Sequence, residues 1–226
     1  MADLVAGAFG PPAQTPGHRM AVAFGWTSAA VAFAGTVVAL AVAQDAVSYE
    51  AIFTDAVQFA NLHPLVGMVS LLGLFLWAAA AGIAFQTWAL VRLRPGGTYA
   101  SRFVLATGLF TTVLLLDDGF MLHETVLPAL GIREAAVKAA YIGLVALYAV
   151  AFRTAFLHRN RTLSMAAWAC LGGSLVADST LVFRTLDLER NAAFMFAFED
   201  GLKLTGITLW LAFVAKTSGD LLRPGR

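Results

Sequence analysis

Charged residues are scarce in this chain of 226 residues. Asp, Glu, Lys and Arg together make up 13% of it, against about a quarter in a typical soluble domain. Hydrophobic residues make up 59%. So little polar surface excludes an ordinary soluble globular protein, and so high an apolar content excludes a disordered one. The composition is that of a protein that crosses the lipid bilayer several times.

Cysteine and surplus basic charge are also nearly absent. The single cysteine, Cys170, excludes a disulfide framework and any metal site built from several thiolates. The 15 basic residues are balanced by 14 acidic ones, so there is no basic surplus to bind a phosphate backbone. We therefore expect no nucleic-acid partner.

Six apolar runs are each long enough to cross a bilayer as a helix, which takes about 20 residues. They are residues 20–44, 65–91, 102–127, 134–157, 163–186 and 192–216. Most of the connections are short, so consecutive helices are expected to be antiparallel neighbours. The sequence therefore predicts an all-α, polytopic integral membrane protein with a six-helix transmembrane bundle over residues 20–216.

Basic residues are shared unevenly between the two sides of this predicted bundle. One side holds Arg92, Arg94, Arg159 and Arg161 with both tails, whereas the other side holds few basic residues. The side richer in Lys and Arg faces the cytoplasm. The N-terminal tail 1–19 and the C-terminal tail 217–226 are therefore predicted to be cytoplasmic. The composition, rich in Ala, Val and Leu and with more Arg than Lys, is compatible with a bacterium of high genomic GC content, so the membrane is predicted to be a bacterial inner membrane.

The connection between the first two spans contains an amphipathic segment over residues 48–61. Its apolar side chains fall on one helical face, and they are Ile52, Phe53, Ala56, Val57 and Ala60. This pattern is typical of a short helix lying in the membrane interface. Such a helix would either cover the outer mouth of the bundle or serve as an ordinary connector.

Ionisable residues inside the membrane cost about 2.5–3.5 kcal/mol each on insertion scales, and by default they indicate a functional site. The third, fifth and sixth predicted spans carry them: Asp117, Asp118, His123 and Glu124; Asp178; and Glu199, Asp200 and Lys203. At about 1.5 Å of rise per residue, the Asp pair, Asp178 and the Glu199–Asp200 pair all lie roughly 11–14 Å below the outer ends of their helices. We therefore expect one shared acidic site in the outer half of the bundle.

Carboxylate oxygens and imidazole nitrogens are ligands of hard and borderline cations. The predicted ligands of a divalent or transition-metal ion are Asp117, Asp118, His123, Glu124, Asp178, Glu199 and Asp200, with Lys203 as an internal counter-charge. A metal-bound water with Glu124 or Glu199 as general base would make the protein an enzyme for a lipid or another membrane-associated small molecule. The pattern suits metal binding without requiring catalysis.

Helix phase ranks these candidates. At 100° per residue, Asp117, Met121 and Glu124 share a face, whereas Asp118 and His123 point elsewhere, about 140° apart. Asp118 and His123 are therefore second-rank candidates unless the helix is distorted near Gly119. On the sixth span, Lys203 follows Glu199 by four residues, a spacing that favours an ion pair along the helix.

Three other interpretations use the same residues. A proton- or cation-coupled transporter or sensor would bind and release its ion at the acidic cluster. A non-catalytic subunit would use the charges to bind another membrane protein or a second copy of the chain. A purely structural salt-bridge network is the third, and charge balance weighs against it because the carboxylates in this layer outnumber Lys203.

Overall fold

The computed structural model describes residues 16–44, 48–54, 56–93, 98–158, 160–178 and 192–223. All regular secondary structure in these ranges is helical, which confirms the predicted all-α class. Two of the helices, Met68–Val91 and Thr98–Phe120, are long and apolar enough to cross a membrane. The six-span bundle as a whole stays a prediction.

The residues before Gly67 form one compact unit. It contains the helices α1 (Pro16–Ala43), α2 (Tyr49–Phe53) and α3 (Ala56–Phe59). Helix α3 ends at Phe59, and Asn61, two residues later, has a φ of 52° in the left-handed region. The Asn61 and Leu62 N–H groups then donate to the last carbonyls of the helix, as in a Schellman motif.

The segment over residues 48–61 differs from the predicted single interfacial helix. The sequence predicts a single helix within residues 48–61, whereas the chain forms the two short helices α2 and α3 there. Helices this short gain little from backbone hydrogen bonding alone, so the chain can bend between them. Asp55, between the two, lies outside the described residues.

The second unit runs from Gly67 onwards and contains most of the long helices. Its elements are α4 (Met68–Val91), α5 (Thr98–Phe120), a π-helical turn (Leu122–Val126), α6 (Leu127–Ala129), α7 (Glu134–Ala151), α8 (Arg153–His158), α9 (Arg161–Asp178) and α10 (Ala192–Leu222). Helix α4 packs against both α5 and α10, and α10 also packs against α9. The last helix continues six residues beyond the predicted end at residue 216.

The core of the second unit is aromatic. Tyr148 of α7 stacks on Phe110 of α5 with ring centroids 4.6 Å apart, and Trp210 of α10 lies against both rings. The polar atoms of these side chains are satisfied inside the core: the Tyr148 hydroxyl lies 2.7 Å from Thr107 Oγ1, and the Trp210 indole N–H donates to Thr111 at 3.0 Å. This core fixes α7 and α10 relative to α5.

The third predicted span, 102–127, is interrupted rather than continuous. Helix α5 ends at Phe120, and Met121 follows with a left-handed φ of 49°. The next residues form the π-helical turn, in which the Thr125 and Val126 N–H groups both donate to the Met121 carbonyl, at 2.8 and 3.3 Å. Side chains after Met121 therefore point in directions that an unbroken α-helix would not give them.

Candidate functional site

Asp117 lies in the last turn of α5 and is the centre of the first cluster of charged side chains. Its side chain is buried. Its Oδ2 lies 2.7 Å from His123 Nδ1, while Oδ1 accepts hydrogen bonds from the His123 backbone N–H at 3.0 Å and from the Tyr141 hydroxyl at 2.9 Å. A buried carboxylate is tolerated when its oxygens have partners of this kind.

His123 lies between two carboxylates of different exposure. Its Nδ1 faces the buried Asp117, and its Nε2 lies 3.3 Å from Oε1 of Glu124. The side chain of Glu124 is 54% exposed and that of His123 is 22% exposed. The three side chains form a chain from the interior to the surface, here called the Asp117–His123–Glu124 chain. A protonated imidazole in this position donates to both neighbours, whereas a neutral one donates to only one of them.

The break after Phe120 explains why His123 contacts Asp117. In an unbroken α-helix, residues six apart lie about 120° from each other, so His123 would point away from Asp117. The left-handed Met121 and the π-helical turn bring the ring and backbone N–H of His123 back to Asp117. The face predicted for Asp117, Met121 and Glu124 is therefore wrong: Met121 and Glu124 are exposed, and Glu124 is linked to Asp117 through His123.

Asp118 belongs to a second cluster, which joins α4, α5 and α10. Its Oδ1 lies 2.8 Å from Lys203 Nζ, and its Oδ2 accepts a hydrogen bond of 2.8 Å from the Trp77 indole N–H. The sequence predicts that Lys203 pairs with Glu199 along its own helix, whereas this ion pair crosses between helices. The Asp118 side chain is only 18% exposed, and a carboxylate so far removed from water needs a nearby cation.

A small pocket opens beside this ion pair. It is lined by Val69, Ser70, Gly73, Asp118, Asp200, Lys203, Leu204 and Ile207. One carboxylate of the third predicted span, Asp118, and one of the sixth, Asp200, therefore line the same pocket. The Lys203 ammonium also lies within electrostatic reach of Glu124, so the two clusters are neighbours.

The other predicted site residues have different positions. Glu199 precedes Asp200 on α10 and is not part of the pocket lining. Asp178 is the last residue of α9, and its side chain lies outside the described residues, as do residues 179–186 of the fifth predicted span. Within the part of the chain that the structure describes, no three His, Cys, Asp or Glu side chains are grouped so that they could hold a metal ion. The predicted metal ion therefore stays a prediction.

Two side chains of these clusters, Tyr141 and Trp77, were missed by the sequence analysis. Both lie in apolar helices, where an aromatic residue is ordinarily part of the core or a membrane anchor. The position of Tyr141 along its helix could have indicated that it lies near the carboxylates. It follows the start of α7 by seven residues, or roughly 10 Å, which is close to the depth predicted for the carboxylates. Trp77 had no comparable signal.

Comparison with known proteins places the chain in a family. No curated protein and no solved structure matches it. A family model described as a domain of unknown function, DUF8692, matches residues 28–217. This match covers most of the chain and includes both charged clusters and the pocket. The chain therefore belongs to the DUF8692 family.

Proposed function

We propose that this protein is a six-span membrane protein that takes up and releases a proton at the Asp117–His123–Glu124 chain, as part of a proton-coupled transporter or sensor. The observation that carries the proposal is the position of His123, with one ring nitrogen facing a buried carboxylate and the other facing an exposed one.

The chemistry of the three groups suits proton exchange. Imidazole changes charge nearer to neutral pH than any other unperturbed side chain. Glu124 is exposed and can exchange protons with water, and its Oε1 lies 3.3 Å from His123 Nε2. Asp117 holds the opposite side of the ring through Nδ1. A proton taken up by Glu124 passes to Nε2, and Asp117 stabilises the resulting imidazolium. Chains of Asp, Glu and His inside membranes are typical of such relays.

Membrane placement is supported by apolar length. Helices α4 and α5 are each long and apolar enough to span a bilayer. The six apolar runs and the uneven distribution of Lys and Arg support the rest of the proposal: four further spans, cytoplasmic termini and a site in the outer half of the bundle. The lipid bilayer is then the first partner of the protein.

Histidine NMR in lipid nanodiscs tests the proton site. The sample is the full-length protein with ¹⁵N-labelled histidine, and the resonances of His123 are identified by their loss in His123→Gln. We expect both ring nitrogens of His123 to carry protons in the charged state, and one of these protons to be lost as the pH is raised across the measured range. Asp117→Asn should change this titration and leave that of His63, the matched control, unchanged. A His123 ring that stays in one neutral form over the whole range would overturn the proposal.

Elemental analysis of the same samples tests the competing metal site. The proton proposal predicts no stoichiometric metal in the purified protein. A metal that is present at about one ion per chain, and is lost from both Asp117→Asn and Glu199→Ala, would favour the metal-dependent enzyme instead. Candidate substrates would then be sought among membrane lipids.

A further inference from the structure

We infer that the pocket beside Lys203 binds the ammonium group of an organic amine. This pocket lies among residues of α4, α5 and α10 and shares no lining residue with the Asp117–His123–Glu124 chain. The inference goes beyond proton binding and does not depend on it.

Among the described residues that line the pocket, two carry a negative charge, Asp118 and Asp200, and one, Lys203, carries a positive charge. Lys203 and Asp118 neutralise each other at 2.8 Å. Asp200 also lines the pocket, is only half-buried, and makes no ion pair with any of the residues that the structure describes. A ligand with a single positive charge would balance this carboxylate, whereas an anionic ligand would increase the excess of negative charge.

The lining favours an alkylammonium over a bare metal ion. An ammonium group needs a few hydrogen-bond acceptors, which the Asp200 carboxylate and the Ser70 hydroxyl can provide. A calcium or magnesium ion would need about six oxygen ligands, and one of the two carboxylates is already paired with Lys203. The remaining walls, Val69, Leu204 and Ile207, are apolar and suit the carbon chain that an organic amine carries.

Space in the pocket depends on Gly73. A Cβ at this position would lie 3.2 Å from Cδ1 of Ile207, another residue of the pocket lining. Gly73→Ala therefore narrows the pocket without changing any charge. This variant tests the shape of the site independently of Asp200.

The experiment is calorimetric titration of the full-length protein, in phosphatidylcholine nanodiscs, with butylammonium chloride. We expect saturable binding that is weakened at least about tenfold by Asp200→Asn, because a charged hydrogen-bond partner is lost. Glu199→Gln removes the same charge one residue away, outside the pocket lining, and should bind like the natural protein. Gly73→Ala should also weaken binding. Tetramethylammonium, which has no N–H donor, should not bind.

Absence of saturable butylammonium binding, or equal binding by Asp200→Asn, would overturn the inference. Nanodiscs that contain phosphatidylethanolamine distinguish the two sources of a primary ammonium. Retention of this lipid in native mass spectra, with loss in Asp200→Asn, would assign the pocket to a lipid headgroup; butylammonium binding without lipid retention would assign it to a free amine. His123→Gln should keep saturable butylammonium binding and Asp200→Asn should keep a titrating His123 ring, so the proton proposal and this one can fail separately.

Discussion

The hydroxyl of Tyr141 is the donor to Asp117 that comes from outside the segment around the helix break. The carboxylate otherwise receives the ring and backbone N–H of His123, which is only six residues away in the sequence. Tyr141 therefore ties α7 to the end of α5. This hydrogen bond contributes to stability because Asp117 is buried, and water does not fully replace a donor that a buried acceptor has lost.

Tyr141→Phe should lower the free energy of unfolding by about 1 kcal/mol, because Asp117 loses one neutral hydrogen bond. In a chain of this size the corresponding fall in Tm is roughly 2–4 °C. Thermal unfolding in detergent, followed by tryptophan fluorescence, measures it. Tyr99→Phe is the matched control, since Tyr99 is exposed and its ring packs on Phe152 without needing the hydroxyl. Equal shifts in the two variants would contradict a special role for Tyr141.

The sequence was enough to predict which charged residues belong to the two clusters, but not which residues they contact. Charged residues within apolar runs pointed to Asp117, Asp118 and Lys203, because the cost of a charge inside a membrane needs an explanation. Their contacts depend on how helices are rotated and where they break. The ion pair between Asp118 and Lys203 spans 85 positions of the chain, a separation that no local spacing rule covers.

Hydropathy predicted where the long helices lie, because a long apolar run is a candidate for a membrane-spanning helix. Helix α4 begins at Met68, three residues after the predicted start at 65, and α7 begins at Glu134, as predicted. The break in α5 could not be predicted in the same way. The left-handed residue is Met121, whereas such positions normally hold Gly or Asn. The sequence pointed only to Gly119, two residues earlier.

Two glycines of α10 have opposite surroundings, which allows a paired test of helix packing. A Cβ at Gly206 would lie 2.7 Å from Leu171 Cγ and 3.0 Å from the Leu171 backbone nitrogen, both on α9, whereas a Cβ at Gly201 meets nothing within 4 Å. A backbone atom cannot move aside as a flexible side chain can. Close approach of α9 and α10 therefore depends on Gly206.

Gly206→Ala should destabilise the protein by about 1–3 kcal/mol, because the added methyl group forces α9 and α10 apart. Gly201→Ala should be neutral or slightly stabilising, because alanine is the better helix former in open space. Thermal unfolding of both variants in the same detergent compares them. A larger loss of stability in Gly201→Ala than in Gly206→Ala would show that these two helices do not pack as described.

Orientation in the membrane can be tested with cysteine labelling, because the natural chain has a single cysteine. In a Cys170→Ser background, Leu62→Cys and Leu93→Cys place one thiol beyond each end of α4, and both positions are exposed. A membrane-impermeant maleimide added to intact spheroplasts should label Leu62→Cys, and Leu93→Cys only after the membrane is permeabilised. Labelling of both in intact cells would contradict a membrane-spanning α4, and the reverse pattern would invert the predicted topology.

A single peptide bond separates Asp117 from Asp118, and it mechanically connects the two clusters. Asp117 is held by His123 and Tyr141, and Asp118 by Lys203 and Trp77. A rotation of this helical turn that lengthens one set of hydrogen bonds must also disturb the other. We therefore expect a ligand that shifts Asp118 to shift Asp117 as well. Thermodynamic reciprocity then requires that the proton alter the affinity for the ligand by the same factor as the ligand alters the affinity for the proton.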